Sequence, residues 1–390
     1  MSIESRFKPL LQQRNQQHLY RQRPLTFSAQ QAEMQINGLT IINFSANDYL
    51  GLANDPEIHE AVVQGLQDKS VSYGSGAAHL VTGHHLQHHL LEDEIADWLG
   101  CERALLFSTG YMANLAVQQT LMQKGDTILA DKLNHASLID GALNSEADLK
   151  RYPHLDISAL ERRLTQNNSG QMMIVTDGVF SMDGDMAPLS EICRLAESQQ
   201  AWLMVDDAHG FGMLGKQGKG CFSDQNINPT DDTILMGTLG KAFGTSGAFV
   251  AGSQTLIESL IQFARPYIYT TAMSPLNALA SRAALKRVIA AEPERMRLQQ
   301  HIQQFRQGAH ALGLQLWQSQ SAIQPIILGR SETAIQWSEA LKQKGFWVTA
   351  IRPPTVPTGQ ARLRITLSAG HSSAHIEALL QALKEVQANV

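Results

Sequence analysis

The chain has 390 residues, of which 43% are hydrophobic, and its 31 basic and 36 acidic side chains give a formal net charge of −5. This balance excludes a disordered chain, which would combine low hydrophobicity with a high net charge. It also argues against nucleic-acid binding, which requires a basic domain. The N-terminal residues lack the apolar segment of a signal peptide, and no apolar run approaches the ~18 residues of a membrane span. We therefore expect a globular protein of two or three domains without a membrane partner.

The three cysteines, Cys101, Cys193 and Cys221, are far apart, and the chain has no CxxC motif. An odd and scattered set favours neither a disulfide framework nor a zinc site. It is typical of a reducing compartment, so we expect a cytoplasmic protein.

The first part of the chain, residues 1–55, is polar and partly basic. Among its first 25 residues, five basic side chains accompany a single acidic one, Glu4. The pattern predicts a helix followed by a small hairpin at Asn37-Gly38, a dipeptide that favours tight turns. We expect this part to form an N-terminal arm.

Residues 56–291 show short apolar runs that alternate with helical patterns. Six such runs predict strands: Ala104–Phe107, Thr127–Ala130, Met172–Thr176, Trp202–Asp206, Thr233–Met236 and Ala248–Ala251. Short strands separated by helices are typical of an α/β domain whose mostly parallel central sheet has helices on both faces. Ligands bind such sheets at the carboxyl ends of the strands, so functional residues are expected there.

Residues 292–390 are expected to form a smaller α+β C-terminal domain. It begins with a long helix, Pro293–Leu312. Four predicted strands follow: Gln315–Trp317, Gln324–Leu328, Trp347–Ile351 and Arg362–Leu367.

A lysine among small residues follows the predicted strand that ends at Met236. In the segment Thr238-Leu-Gly-Lys241-Ala-Phe-Gly-Thr-Ser-Gly247, the glycines let a flat cofactor approach the backbone. A shielded lysine suits an imine-forming nucleophile, because its amine must be neutral to attack. The alternative is a solvated lysine in a glycine-rich turn.

Asp206 ends another predicted strand, and His209 follows three residues later. In pyridoxal 5'-phosphate (PLP) enzymes, a carboxylate in this position pairs with the protonated ring nitrogen of the cofactor. The alternative is a metal-binding Asp/His pair, which is disfavoured because the neighbouring sequence offers no third ligand.

Gly110 lies at a strand-to-helix turn after Ala104–Phe107. Such a glycine directs backbone N–H groups and the positive end of the helix towards an anion, which is typical of a phosphate site. The lysine, the Asp-x-x-His motif and the glycine turn all fall at strand ends of one sheet. Their joint occurrence indicates a PLP site more strongly than any one of them.

With these residues the chain resembles the class II aminotransferase-type PLP enzymes of fold type I, and among them the α-oxoamine synthases. The resemblance extends from Asn43 to His371. It rests on the segments Asn43–Gly51, Tyr73–Gly76, Asn134–Ser137, Thr176–Gly184, Asp206–Gly210 and Thr238–Gly247. It implies a PLP-dependent transferase fold and a homodimer with shared active sites.

The resemblance also implies roles for matched residues. Lys241 would hold PLP through an imine, Asp206 would pair with the pyridine nitrogen, and His209 would lie beside the phenolic oxygen. His135 would stack on the ring and face the substrate as well. Four further cofactor-binding residues are implied, the first three at the phosphate end and the last beside the ring: Gly110, Tyr111, Thr238 and Ser181.

The substrates would be bound by Arg21, Asn47, His135, Thr355 and Arg364. Arg364 would hold the amino-acid carboxylate through a bidentate pair. Two alternatives stay open: Arg364 could face solvent on an edge strand, and Arg21 could belong to a solvated basic face.

The segment Ala350–Pro357 most resembles the family member that condenses L-alanine with a pimeloyl thioester, in biotin biosynthesis. The expected products are 8-amino-7-oxononanoate, CO2 and the free thiol, with CoA or acyl carrier protein (ACP) carrying the pimeloyl group. The alternative is a sibling that uses glycine, such as glycine C-acetyltransferase or 5-aminolevulinate synthase. Those siblings tend to carry Tyr-Pro in place of Pro353-Pro354.

Four histidines lie close together in His84-His85-Leu-Gln-His88-His89. On a helix, the pairs four residues apart share a face, as metal ligands do. No cysteine or acidic residue completes a known ligand spacing, so we predict no metal site.

Overall fold

The structure is a computed structural model that describes residues 1–17, 19–166 and 170–389. Contacts within the chain divide it into two units. The first comprises Met1–Ala46, Met182–Gly184 and Arg297–Val390, and the second comprises Asn47–Ser181 and Asp185–Met296. The expected division into 1–55, 56–291 and 292–390 stays a prediction. In the structure, the N-terminal residues share a unit with the C-terminal ones.

The first unit begins with helix α1 (Ile3–Gln16) and the strands β1 (Glu33–Ile36) and β2 (Leu39–Asn43). β1 and β2 pair antiparallel, and Asn37 and Gly38 between them have φ of 50° and 79°. Two successive positive φ angles match the right-handed twist of the strands in a tight hairpin. The predicted helix and hairpin are therefore confirmed.

The second unit contains a central sheet of seven strands within the described residues. The strands are β3 (Arg103–Phe107), β4 (Thr127–Asp131), β5 (Asp148–Tyr152), β6 (Met172–Asp177), β7 (Trp202–Asp206), β8 (Thr233–Thr238) and β9 (Ala248–Gly252). Their order is β3-β9-β8-β7-β6-β4-β5. Only β9 runs antiparallel to its neighbours in this sheet of the described chain. The predicted mostly parallel sheet and all six predicted strands are confirmed.

Helices cover both faces of this sheet, since successive strand residues such as Leu105 and Leu106 are both buried. The helices are α2 (Pro56–Gln67), α3 (Leu86–Leu99), α4 (Gly110–Leu121), α5 (Ala136–Asn144), α6 (Ile157–Leu164), α7 (Leu189–Ser198), α8 (Cys221–Asp224), α9 (Gln254–Phe263), α10 (Arg265–Ile268) and α11 (Pro275–Ala290). A π-helical turn spans His79–Gly83, and a 3-10 turn spans Lys216–Gly218.

β5 was not among the predicted strands. Its sequence, DLKRY, is polar, and it lies at the edge of the sheet, where only Tyr152 is buried among its residues. An edge strand with charged side chains lacks the apolar run that marks a central strand.

The chain continues through α12 (Glu292–Ala311), β10 (Ile323–Gly329), α13 (Ser331–Gln343), β11 (Phe346–Trp347), β12 (Thr349–Ile351), β13 (Ala361–Thr366) and α14 (Ser373–Asn389). β10, β13 and β12 form an antiparallel sheet, and β11 joins β1 and β2 by pairing parallel to β2. This mixture of helices and antiparallel strands confirms the expected α+β character of the C-terminal part.

Two expectations for this part are wrong in detail. The predicted strand Trp347–Ile351 divides at Val348, because β11 pairs with β2 while β12 pairs with β13. The predicted strand Gln315–Trp317 contributes only an isolated bridge between Leu316 and Ile326. Period-2 patterns mark extended backbone, but they do not specify its partner.

No helix within the described ranges has both the length and the apolar character needed to cross a membrane.

Candidate active site

Lys241 lies in a turn of the second unit that follows β8. The Leu239 N–H donates to the Gly247 carbonyl and the Gly244 N–H donates to the Lys241 carbonyl, both at 2.9 Å. Gly244 has φ of +69°, and a Cβ there would lie 2.3 Å from the carbonyl carbon of Leu52. The turn therefore packs against neighbouring backbone, and Lys241 is held half-buried at the end of the sheet.

The Lys241 side chain contacts His209. Their Nζ and Nε2 atoms are 2.8 Å apart, and Nδ1 of His209 lies 2.5 Å from the Tyr49 hydroxyl. The same hydroxyl lies 3.3 Å from Oδ1 of Asn47. Tyr49 and His209 are both buried. The structure thus brings three predicted site residues, Lys241, His209 and Asn47, into one chain of contacts through a fourth residue, Tyr49.

Asp206 ends β7, the strand next to β8, and is buried. The Asn114 side-chain amide donates to its Oδ2 at 2.7 Å, and the Ala208 N–H donates to its Oδ1 at 3.1 Å. Asn114 is fully buried on α4. The carboxylate is therefore fixed in position from two sides.

His135 caps α5 and is joined to Asp206 through Asn114. The Asn114 amide also donates to Oγ of Ser137 at 2.8 Å, and that oxygen lies 2.7 Å from Nδ1 of His135. The Ser137 N–H donates to the same Nδ1 at 3.3 Å, so Nδ1 acts as an acceptor. Desolvation lowers the pKa of His135, which agrees with a neutral ring protonated on Nε2.

A second buried acid, Asp177, ends β6 and pairs in register with Asp206. The backbone N–H of His135 donates to its Oδ2 at 2.8 Å. Burial raises the pKa of Asp177 well above its usual range, and the charge of Asp206 raises it further. The second cause is the repulsion between two carboxylates at adjacent strand ends.

The predicted phosphate end contains Gly110, Tyr111 and Thr238. Gly110 opens α4, where Thr109 caps the helix by accepting from the Met112 N–H at 3.2 Å. A Cβ at Gly110 would lie 3.3 Å from Cε of Met236, in the strand that leads to Thr238. The structure therefore brings the start of α4 next to the end of β8.

Tyr111 and Thr238 make their own hydrogen bonds. The Tyr111 hydroxyl donates to the Asp140 carboxylate on α5, which raises the pKa of Tyr111. The Thr238 hydroxyl donates to the Gly247 carbonyl at 3.0 Å and accepts from the Gly240 N–H at 3.2 Å. Tyr111 therefore links α4 to α5, and Thr238 stabilises the turn that carries Lys241.

Ser181, the remaining predicted residue of the second unit, is half-buried. It follows β6 in a loop that the Phe180 N–H closes by donating to the Asp185 carbonyl at 2.9 Å.

Arg21, Thr355 and Arg364 belong to the first unit. Arg21 and Thr355 line the same cavity of about 330 Å³, together with Arg352. Burial lowers the pKa of Arg352, and the charge of Arg21 lowers it further. Arg364 is only 7% exposed on the central strand of its sheet, and it donates to the Thr366 hydroxyl at 3.0 Å. The alternative that Arg364 faces solvent is therefore wrong.

The residues of the second unit fit PLP. They offer a primary amine on Lys241, a buried carboxylate on Asp206, and the backbone N–H groups of the helical turn that begins at Gly110. The close approach of Gly110 to Met236 leaves little room for a side chain there. These are the groups that a Schiff base, a pyridinium nitrogen and a phosphate require.

Four residues of this network had no role from the sequence: Tyr49, Asn114, Ser137 and Asp177. Tyr49, Ser137 and Asp177 lie in segments that carried the resemblance, and Asn114 follows the glycine turn at Gly110. Their residue types, hydroxyls, an amide and an acid, are common throughout proteins. Only the contacts described above show that they hold the predicted residues in place.

Comparison with known proteins agrees with this geometry. The family described as "Aminotransferase class I and II" matches residues 40–383. The 8-amino-7-oxononanoate synthase of Hydrogenovibrio crunogenus is 70% identical over 388 residues, which cover 99% of this chain and 97% of that protein.

Two solved structures are also similar. The 8-amino-7-oxononanoate synthase of Francisella tularensis is 36% identical with a TM-score of 0.77, over 90% of this chain and 98% of that one. The serine palmitoyltransferase of S. paucimobilis, solved with PLP and myriocin bound, is 28% identical with a TM-score of 0.93. This match covers 100% of this chain and 99% of that one. The chain therefore belongs to the aminotransferase class I and II family of PLP-dependent enzymes, and within it to the 8-amino-7-oxononanoate synthases.

Proposed function

We propose that this chain condenses L-alanine with a pimeloyl thioester in biotin biosynthesis. The products are 8-amino-7-oxononanoate, CO2 and the free thiol. The observation that carries the proposal is the contact between Lys241, which follows β8, and His209, which follows β7. Asp206 is the last residue of β7. The full-length similarity to proteins named for this product supports the choice of substrate.

Lys241 attaches the cofactor and moves protons. Its amine, 2.8 Å from His209, takes the α-proton of alanine and later returns a proton to the same carbon. Tyr49 orients the His209 ring through Nδ1. We assign His209 to the phenolic oxygen of the cofactor and His135 to the face of its ring.

Asp206 holds a proton on the pyridine nitrogen. When bound, PLP supplies an electron-withdrawing ring that stabilises negative charge at the α-carbon of the amino acid. Asn114 keeps the Asp206 carboxylate in position. We assign Gly110, Tyr111 and Thr238 to the phosphate end and Ser181 to the side of the ring.

The bonds that change involve the α-carbon of alanine. A carbon–carbon bond forms with the pimeloyl carbonyl carbon and the thiol leaves. The bond to the alanine carboxylate then breaks and releases CO2. Arg364 binds that carboxylate before it leaves, so its contribution is orientation. We assign Asn47, Thr355 and Arg21 to binding of the substrates.

The donor and the assembly complete the proposal. We infer that the pimeloyl group arrives on ACP or CoA, and that the enzyme works as a homodimer with shared active sites. We infer that it does so in the cytoplasm, where three cysteines without disulfide partners in the described chain are stable.

The test is product identification. PLP-loaded enzyme is incubated with L-alanine and pimeloyl-CoA or pimeloyl-ACP, and the products are analysed by mass spectrometry. We expect the mass of 8-amino-7-oxononanoate and an equal amount of free thiol. Faster turnover of glycine with acetyl-CoA or another acyl-CoA would assign the chain to a sibling instead.

A further inference from the structure

Outside the catalytic network, the second unit contains a cluster of histidines beside a buried glutamate. The π-helical turn His79–Gly83 leads into α3, and it brings His79 and His84 next to the first turns of that helix. Glu92 lies two turns further along and is 7% exposed. None of these side chains takes part in the network described above.

The sequence offered no acidic partner at a known ligand spacing, but the fold supplies one. Among the described residues, the ligand atoms of His84, His89 and Glu92 lie within 4.8 Å of one another. Nε2 of His84 is 4.0 Å from Oε2 of Glu92. In tetrahedral coordination, a zinc ion about 2.1 Å from each ligand atom separates two ligand atoms by about 3.4 Å, so this pair must close by about 0.6 Å.

The third ligand needs only a small movement. His89 lies three residues before Glu92 on α3, and its side chain is 61% exposed. Residues three apart on a helix lie on the same face. The Nε2 of His89 lies 3.7 Å from Oδ2 of Asp93, but a contact between two exposed side chains costs little to break. A change of rotamer therefore lets His89 close the set without a change in the backbone.

Two of these ligands are already oriented by their other polar atom. Nδ1 of His84 lies 3.0 Å from Nδ1 of His79, whose ring is stacked on Tyr267. Oε1 of Glu92 accepts from the Leu106 N–H at 3.0 Å. Metal-binding histidines and carboxylates are held by hydrogen bonds of this kind on the atom that does not bind the metal.

His88 is distinct from this set, although its ring is nearby. Its Nδ1 accepts from the His85 N–H at 2.9 Å, and its Nε2 lies 2.8 Å from the Met273 carbonyl. Both nitrogens are therefore occupied by the backbone, and His88 is a structural residue of the helix start.

We propose that His84, His89 and Glu92 form a binding site for a divalent transition metal such as Zn²⁺, with His79 orienting His84. Two imidazoles, one carboxylate and a water are a ligand set that zinc accepts in proteins. The bound ion would link the π-helical turn to α3.

The test uses untagged, PLP-loaded enzyme and ZnCl₂ in calorimetric titrations at one pH. The variants are His84→Ala, His89→Ala and Glu92→Gln, which remove one ligand each, and His79→Phe, which keeps the stacked ring but removes the acceptor. His59→Ala, an exposed histidine on α2, is the matched control. Circular dichroism and the visible absorbance of PLP show that each variant is folded.

We expect saturable binding of one zinc ion per chain in the parent and in His59→Ala. Each ligand variant should weaken it at least tenfold, and His79→Phe should weaken it about tenfold through lost orientation. Equal affinity for zinc in the parent and in the folded variants His84→Ala and His89→Ala would overturn the proposal. The absence of saturable zinc binding in the parent would overturn it as well. Neither outcome bears on the condensation reaction, because the readout is the metal itself.

Discussion

Asn114 illustrates how one residue can position a site without touching the reacting atoms. Its single side-chain amide nitrogen donates to Asp206 at 2.7 Å and to Ser137 at 2.8 Å. These hydrogen bonds connect Asp206, which we assign to the pyridine nitrogen, with His135, which we assign to the ring face. The positions of Asp206 and His135 therefore depend on one amide.

We predict that Asn114→Ala lowers kcat about 10- to 100-fold while PLP stays bound, because lost support of a functional group typically costs that much. Gln118→Ala is the matched control, since Gln118 is also buried on α4 but bonds only backbone carbonyls in the described chain. Steady-state kinetics measures kcat and urea unfolding measures stability, so an effect on positioning is distinguished from an effect on packing. Similar losses of both kcat and stability in the two variants would show that Asn114 acts only through packing.

At the residue scale, the sequence points to residues whose chemistry is unusual. A lysine in a glycine-rich turn and Asp-x-x-His after an apolar strand make Lys241, Asp206 and His209 candidates, and the structure places Lys241 in contact with His209. Asn114 and Tyr49 could not be predicted, because an amide or a phenol is interpretable only when its partner is known. Those partners are up to 160 residues away in the chain.

At the scale of elements, the turn that carries Lys241 depends on glycine at one position. Gly244 has φ of +69°, and a Cβ there would lie 2.3 Å from the Leu52 backbone. At Gly240, in the same turn, a Cβ would make only ordinary van der Waals contact, with its nearest neighbour 3.6 Å away at Thr238 Oγ1.

We predict that Gly244→Ala lowers the free energy of unfolding by about 2–4 kcal/mol and displaces the turn, because strain and a backbone clash act together. Gly240→Ala should stay within about 0.5 kcal/mol of the parent. Urea unfolding measures both, and the visible absorbance of PLP reports the position of the lysine. Equal stability of the two variants would contradict the close packing of this turn against the Leu52 backbone.

A charged contact joins other elements of the second unit at His154. Its Nδ1 and Nε2 lie 3.0 Å from carboxylate oxygens of Asp131 and Asp185, and its ring packs edge-on against Phe180. Desolvation opposes the charge, but the two hydrogen-bonded carboxylates prevail and raise the pKa of His154 to about 10. The ring therefore stays protonated in the folded state at neutral pH.

The sign of the pH effect follows from that raised pKa. Folding stabilises the protonated ring, so the contribution is complete below pH 6.5, declines between pH 6.5 and about 10, and is lost above. We predict that His154→Gln costs about 3 kcal/mol at pH 6 and much less at pH 9.5. His375→Gln, which removes a contact to the exposed Glu33, should cost under about 1 kcal/mol at both values. Urea unfolding at the two pH values is the measurement, and a pH-independent cost at His154 would contradict the assignment.

Elements can be predicted from the sequence when they are buried on both faces, because such elements are continuously apolar. Central strands such as β6 and β7 are apolar up to their last one or two residues, and this apolar run predicts them. The sequence does not predict β5, because this edge strand is polar, and it does not show that β11 and β12 have different partners. Pairing is a tertiary property, and local patterns carry little of it.

At the scale of the whole molecule, charge is unevenly distributed. The chain carries a net charge of −5, yet its first 25 residues hold five basic side chains and one acid. Arg21 and Arg23 are exposed, and Arg21 lines a cavity with Thr355 and Arg352 in the first unit. An acidic carrier protein and the phosphates of CoA would both be attracted to such a surface.

We predict that kcat/KM for the pimeloyl thioester falls about three- to tenfold as salt rises from about 20 to about 200 mM, while kcat/KM for alanine changes less, because steering between charges weakens as ions screen them. The double variant Arg21→Ala with Arg23→Ala should flatten this dependence. The matched control, Arg162→Ala with Arg163→Ala on α6, changes the net charge equally, from −5 to −7, but far along the chain from the arm. If both double variants respond to salt like the parent, the arm only solvates its surface. If both flatten equally, total charge and not the arm attracts the donor.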